Sequence, residues 1–201
     1  MTPSLERGAW VHPDIAVPDG VRIGFCSCVG HGSIDNGPTT IAEQVEIGAF
    51  CVIEHGAHLG AHVLVDHYCR ISKGVRIGAG TRILYRAQVF DHVSIGRDCI
   101  IAGELVDRTV VEDEVTFQGN TAHTHADATG DWDETEEPSP VIRRGSVVGI
   151  GALLIGGISV GPRSYVAAGE LVKCDVPPEH VLKGGQLRPL ADFRGMIKVR
   201  G

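Results

Sequence analysis

Aliphatic residues recur every six positions along most of this chain, and that spacing leaves few folds open. From Ile41 the step runs unbroken through Ile47, Ile53, Leu59, Val65, Ile71, Ile77, Ile83, Val89, Ile95 and Ile101. Four residues after each stands a second small or apolar residue, as in Val45, Cys51, Ala57, Val63 and Cys69. Gly follows the aliphatic at 48, 60, 78 and 96. A helix of about 3.6 residues per turn cannot hold a six-residue step on one face. A plain strand alternation leaves no reason for the uneven four-plus-two spacing. A short strand, a corner and another short strand fit both, and three such hexads close a triangular coil.

The register extends backwards through Val11/Ile15, Val17/Val21, Ile23/Ser27 and Val29/Ser33. The hexad at 35–40 (DNGPTT) keeps the count but is polar, which predicts a bulge or loop. Forwards, ten residues separate Ile101 from Val111, which predicts four extra residues at about 106–109. Val111 and Phe117 continue the step, and after a polar stretch Ile142, Val148, Leu154, Val160, Val166 and Val172 resume it. About eight coils follow, a column roughly 38 Å tall at the spacing of paired strands.

Composition agrees. Glycine is 27 of 201 residues and aromatics only 5%, while the hydrophobic share is an ordinary 43%. Small residues suit tight corners, and a narrow prism has no room for rings. Ample aliphatics exclude disorder, the absence of a G-X-Y period excludes collagen, and no apolar run is long enough to span a membrane. The N-terminal residues show no signal peptide. A net charge of −7 without a basic patch argues against nucleic acid and anionic membranes as partners. Six Cys without a C-x-x-C pair predict a reduced, cytoplasmic chain with no structural zinc.

The repeat [LIV]-G-x-x-[small]-x resembles that of the hexapeptide-repeat acyltransferases. The stretch 148–178, VGIGALLIGGISVGPRSYVAAGELVKCDVPP, is similar to the closing coils of maltose, galactoside and other sugar acetyltransferases. Nucleotide-sugar N-acetyltransferases share the pattern. The resemblance implies an all-β, left-handed parallel β-helix over residues 1–178, with a loop insertion at about 118–140. A tail at 179–201 follows, with a short helix near Leu187–Arg194 expected to cap the open end. It also implies a homotrimer with active sites between subunits. The expected reaction moves an acetyl or other short acyl group from acetyl-CoA or another acyl-CoA. The small-molecule acceptor would be a hydroxyl or amine of a sugar, nucleotide-sugar or sugar-like natural product. No metal is expected.

Interruptions of a monotonous solenoid are where chemistry can sit. The insertion carries His123 and His125 beside Asn120, Asp127, Trp132 and five further acids. Deprotonating an attacking hydroxyl needs a base that titrates near neutrality, and His is suited. Either His123 or His125 can serve, with Asp127 or a backbone carbonyl orienting the ring. Asn120 and Trp132 are candidates for the acceptor, Trp132 by stacking on a sugar ring. The acids read either as a solvated excursion or as a lure for a cationic acceptor. By the resemblance, Ile150 and Ala168 meet the pantetheine arm of CoA, with Gly149, Gly151 and Gly169 allowing close approach. The family often has Thr-Lys before Asp-Val-Pro-Pro. Here that pair is Lys173-Cys174, which moves the lysine expected at the CoA phosphates by one position.

Two other readings compete. The spacing of His62 and His67, near His55 and His58, resembles the zinc pair of γ-class carbonic anhydrases, which share this fold; His31, 36 positions before His67, is the candidate third ligand, but the polar hexad between them leaves its register open. A non-enzymatic scaffold is the other. Leu84 and Phe90 stand where Gly or an acid is usual and are expected to point outward, into a subunit interface or acceptor pocket.

Overall fold

In the computed structural model, residues 2–125, 129 and 137–193 are described. They form three sheets, one per face of a triangular column. The first face begins at Ser4–Leu5 and Arg22–Ile23, the second at Trp10–Val11 and Cys28–His31, and the third at Thr40–Ile41 and His58–Leu59. Most strands are two residues long, and the pattern within them is uniform. In Arg76–Ile77 and Arg82–Ile83 the arginine faces solvent and the isoleucine is buried. Strands on one face pair in parallel at a coil's spacing, as Arg76 with Ser94 and Ile77 with Ile95.

The corners need left-handed backbone. Gln44, Phe50, His62, Tyr68, Arg86, His92 and Asp98 all hold φ between 55° and 62°. Where the next coil crosses tightly, no side chain fits. A Cβ on Gly48 would lie 2.8 Å from the backbone nitrogen of His67. The aliphatics form one continuous core from Ile15 to Leu182. Among the described residues, Phe117 is the one aromatic ring in it.

The structure departs from the sequence expectation in several places. The second face holds nine strands, so the column has nine turns. The first turn uses Ser4–Leu5, where Leu5 stands six positions before Val11 but is exposed. The polar hexad does loop out: Ile34–Asn36 forms one 3-10 turn, and Cys28 pairs with Val52 across a longer coil.

The four extra residues expected at 106–109 are not an insertion. The coil is instead two residues short one corner earlier. Leu105 is a fully buried core residue of the strand Glu104–Leu105, only four positions after Ile101. Gly103, at φ 89°, turns the shortened corner, and a Cβ there would overlap the carbonyl oxygen of Gly119 in the next coil. The second coil repeats the shortening: Asn120–Ala122 is a strand of the second face, paired with Leu153–Ile155. Thr121 takes the aliphatic's place in the core, its hydroxyl accepting the Val106 N–H at 2.7 Å. The insertion therefore leaves the column after Ala122, not at 118, and re-enters at Val141–Ile142 on the third face.

The described part of the tail, 179–193, is a hairpin followed by a short 3-10 helix. His180–Lys183 adds a parallel strand beside Tyr165–Val166, then turns back on Gln186–Pro189 and ends in one 3-10 turn, Leu190–Phe193. Val181 and Leu182 are buried, so the hairpin covers the end of the column as the helix was expected to do. Leu84 and Phe90 are half-buried and lie outside the core.

Candidate functional site

Two edges of the column carry the candidate residues. The edge between the second and third faces carries the histidines. The strand Asn120–Ala122 delivers His123 directly at this edge, so its backbone is set by the ladder that pairs Ala122 with Ile155. His123 is half-buried, and its Nδ1 is buried with no hydrogen-bond partner among the described residues. His125 is exposed, two residues further out, with φ 47°. The two rings lie 6.0 Å apart at 71°.

Glu137, at the returning end of the insertion, reaches back to this pair. Its Oε2 accepts the His125 backbone N–H at 2.8 Å and the Thr124 hydroxyl at 3.0 Å. The next residues anchor the return. Ser139 donates its hydroxyl to the Asp107 carbonyl at 2.5 Å. Arg143 pairs with Glu112 at 2.7 Å, and the Arg144 N–H donates to the other Glu112 oxygen at 2.9 Å. Burial pulls the Glu112 carboxyl upward, but the hydrogen bonds from Arg143 and the Arg144 backbone outweigh it, and its pKa falls below the ordinary value.

Asn120 is engaged in the ladder, its Oδ1 accepting the Glu104 N–H at 3.0 Å. That bond spans the shortened corner. Asp127 and Trp132 lie outside the described residues.

The edge between the first and second faces carries the residues expected to meet CoA. Ile150 is 69% exposed, unusual for a large aliphatic. Ala168 stands one coil further on, and the Gly169 N–H donates to the Ile150 carbonyl at 3.0 Å. No atom lies within 4 Å of where a Cβ on Gly151 or Gly169 would be, so this backbone is open to an approaching chain. Lys173 is exposed but sits at the far end of its strand, Leu171–Val172, on the histidine edge. The structure thus divides the candidates. Within a coil, Gly156, which adjoins His123's strand, lies five positions after Gly151, no more than about 18 Å of extended chain.

The edge between the first and second faces also holds a feature the hexad count overlooks. Phe25, Phe50, Tyr68 and Tyr85 are exposed corner residues in successive coils, and each ring touches the next, Phe50 and Tyr68 stacked at 5.0 Å. They occupy variable corner positions of the hexad, so only the coil spacing reveals them as neighbours.

The remaining histidines do not assemble a metal centre. Among the described residues, no three His, Cys, Asp or Glu side chains converge on one point. His62 and His67 flank the strand Leu64–Val65 and stand at two different corners. His67 Nδ1 accepts the Ala49 N–H at 2.7 Å, and His58 Nδ1 meets the Thr40 hydroxyl at 2.8 Å. Burial, then the nearby Arg76, lowers the His58 pKa. Among the described residues, no helix is long and apolar enough to cross a membrane.

No protein-family model matches the chain. Curated relatives do. The bifunctional protein GlmU of Shouchella clausii is 26% identical over 160 residues, covering 80% of this chain and 29% of its own. The UDP-3-O-acylglucosamine N-acyltransferase of Caulobacter sp. is 34% identical over 82 residues, covering 41% of this chain and 24% of its own. The chain thus spans about a quarter of the length of these relatives. Among solved structures, the UDP-N-acetylglucosamine acyltransferase of Campylobacter jejuni superposes with a TM-score of 0.52 at 12% identity, over 88% of this chain and 72% of that one. LpxA of Acinetobacter baumannii superposes with a TM-score of 0.51 at 14% identity, over 91% and 72%. The repeat, the three-faced coil and these likenesses together make the chain a left-handed β-helix of the hexapeptide-repeat type, the fold of those acyltransferases.

Proposed function

We propose that the chain is an acyltransferase that moves an acetyl or other short acyl group from acyl-CoA to a hydroxyl or amine of a sugar, with nucleotide-linked sugars as the favoured acceptors. The observation that carries this is the histidine pair at the one long break in the solenoid. Because His123 turns Nδ1 inward, Nε2 is the nitrogen left to meet an acceptor. The acceptor oxygen or nitrogen attacks the thioester carbonyl while its proton passes to the imidazole. The tetrahedral oxyanion then collapses, the C–S bond breaks, and the imidazolium returns its proton to the departing thiolate. No covalent enzyme intermediate is needed, only proximity, a base and donors to the oxyanion.

The same reading gives Asp127 the orienting of the imidazole, Asn120 and Trp132 the acceptor, and Ile150, Gly151, Ala168 and Lys173 the CoA. The two candidate edges are separate on one chain. A homotrimer in which the histidine edge of one copy faces the Ile150 edge of the next would complete each site. An acyl-CoA donor implies a cytoplasmic reaction. The relatives' names support the acceptor class. So does the AntD N-acyltransferase of Bacillus cereus, whose structure holds dTDP and coenzyme A and superposes with a TM-score of 0.50 at 18% identity.

The test is thiol release from acetyl-CoA with a panel of nucleotide-linked hydroxy- and amino-sugars, using H123A, H125A and the double variant. Loss in one single variant identifies the base, and full activity in all three removes it. If millimolar acetyl-CoA does not raise the melting temperature, the scaffold reading gains, since a ligand that binds only the native state must stabilise it.

A further inference from the structure

The insertion has to leave a rigid column and return to it without letting its two histidines drift, and its stem shows how. At the exit, the Gly156 N–H donates to the Ala122 carbonyl at 2.8 Å. The Thr124 methyl sits over Gly156, where a Cβ would come within 2.6 Å of it. At the return, Pro138 sits over Gly157, where a Cβ would come within 2.5 Å of the proline ring. Two consecutive glycines of the neighbouring coil therefore form a flat seat under both strands of the stem. Glu137 ties those strands together. One carboxylate oxygen accepts both the Thr124 hydroxyl and the His125 N–H, and charge-assisted hydrogen bonds of this kind are the stronger ones. His125, at φ 47°, is in a backbone region that non-glycine residues occupy only when something holds them there.

We infer that Glu137, seated with the stem on Gly156-Gly157, is a positioning residue that sets the histidine pair for acyl transfer. The inference rests on the acyltransferase reading. Glu137 touches neither imidazole by these two bonds. It holds the backbone of His125 and the side chain of Thr124, and so sets where the His125 ring stands relative to His123. In reactions limited by geometry, a shift of about 1 Å costs up to about a hundredfold in rate.

The experiment compares wild type, E137A, E137Q and G156A by steady-state kinetics with acetyl-CoA, by melting temperature, and by NMR of the histidine ring signals. Gln keeps an oxygen that accepts both bonds, so E137Q is the conservative rescue. The expected result is a fall in kcat of roughly tenfold or more in E137A, with KM for acetyl-CoA and the melting temperature near wild type and E137Q close to wild-type rate. The ring signals of His123 and His125 should move in E137A. G156A lifts Thr124 off its seat without touching the carboxylate, and should move the same signals. Unmoved ring signals in E137A overturn the proposal, as does an E137Q variant as slow as E137A. A wild type that transfers no acyl group, but whose ring signals respond to E137A and recover in E137Q, supports the clamp and counts against acyl transfer.

Discussion

Ile77 and Ile95 pair across a coil of eighteen residues, whereas Ile100 and Thr116 pair across one of sixteen. The first belongs to the regular middle of the column, the second to the part that leads into the histidines. In the middle, corners are turned by Gln44, Phe50, His62 and Tyr68 in left-handed backbone, and each coil repeats the last. In the shortened part, Gly103 and Gly119 replace such corners, Thr121 replaces an aliphatic, and the chain leaves the column one strand later. The regular coils bring no candidate base out of the ladder. The broken register does, from a strand laddered to Leu153–Ile155 on one side and held on the other by the Asn120 and Thr121 side chains. A rigid strand that ends in a His places a base better than a long loop can.

The sharpest way to test that contrast is at the histidines. H123A or H125A, whichever removes the base, should lower turnover by about 10²–10⁴-fold, measured as thiol release. Replacing His62, a corner His of the regular coils, should leave the rate within about twofold of wild type, since a solvated surface residue has little to lose. Equal losses at both places would break the comparison.

Next in size is the core of the shortened coil. L105A should cost about 2–5 kcal/mol by denaturant titration, because Leu105 is fully buried and its neighbours are held by strand pairing. If Leu105 belonged to a loose four-residue insertion, the cost would be near zero. Smaller again, G103A should destabilise by about 1–3 kcal/mol, since φ is 89° and the added carbon meets the Gly119 carbonyl. Alanine at Gly37 is the control: it has a similar φ, 91°, but open space around it. A smaller cost there would isolate the part due to crowding.

The smallest expected effect concerns pH. Glu112 has a lowered pKa in the fold, so its contribution is present above the carboxylate's ordinary range and is lost as pH falls through the depressed value. E112Q should therefore flatten the acid limb of the stability curve and leave stability near pH 7 only slightly reduced. The check is the melting temperature from pH 7 down to acid. An unchanged acid limb would show that the Arg143 and Arg144 strap does not hold the return of the insertion.

Much of the fold was legible in the hexads because each aliphatic reports one strand and one face. The pattern failed where a core position is not aliphatic. Thr121 made the loop look as if it began at 118. The candidate site was legible only as residue types. His123 and His125 stood out in a polar stretch, but their partner in geometry, Glu137, was one acid among several. Nothing local marks Gly156-Gly157 as a seat, since its meaning comes from Thr124 and Pro138 more than fifteen residues away.

The sequence by itself determined the three-faced coil, its core column and the site of its long interruption. A six-residue step with an uneven interior spacing has only one repeating way to bury its aliphatics. The tertiary structure alone decided which corner was shortened, which edge carries the histidines, and that the Ile150 backbone lies on a different edge. Those depend on how coils stack, and a two-residue shortening shifts every later residue's neighbour without changing the residue itself.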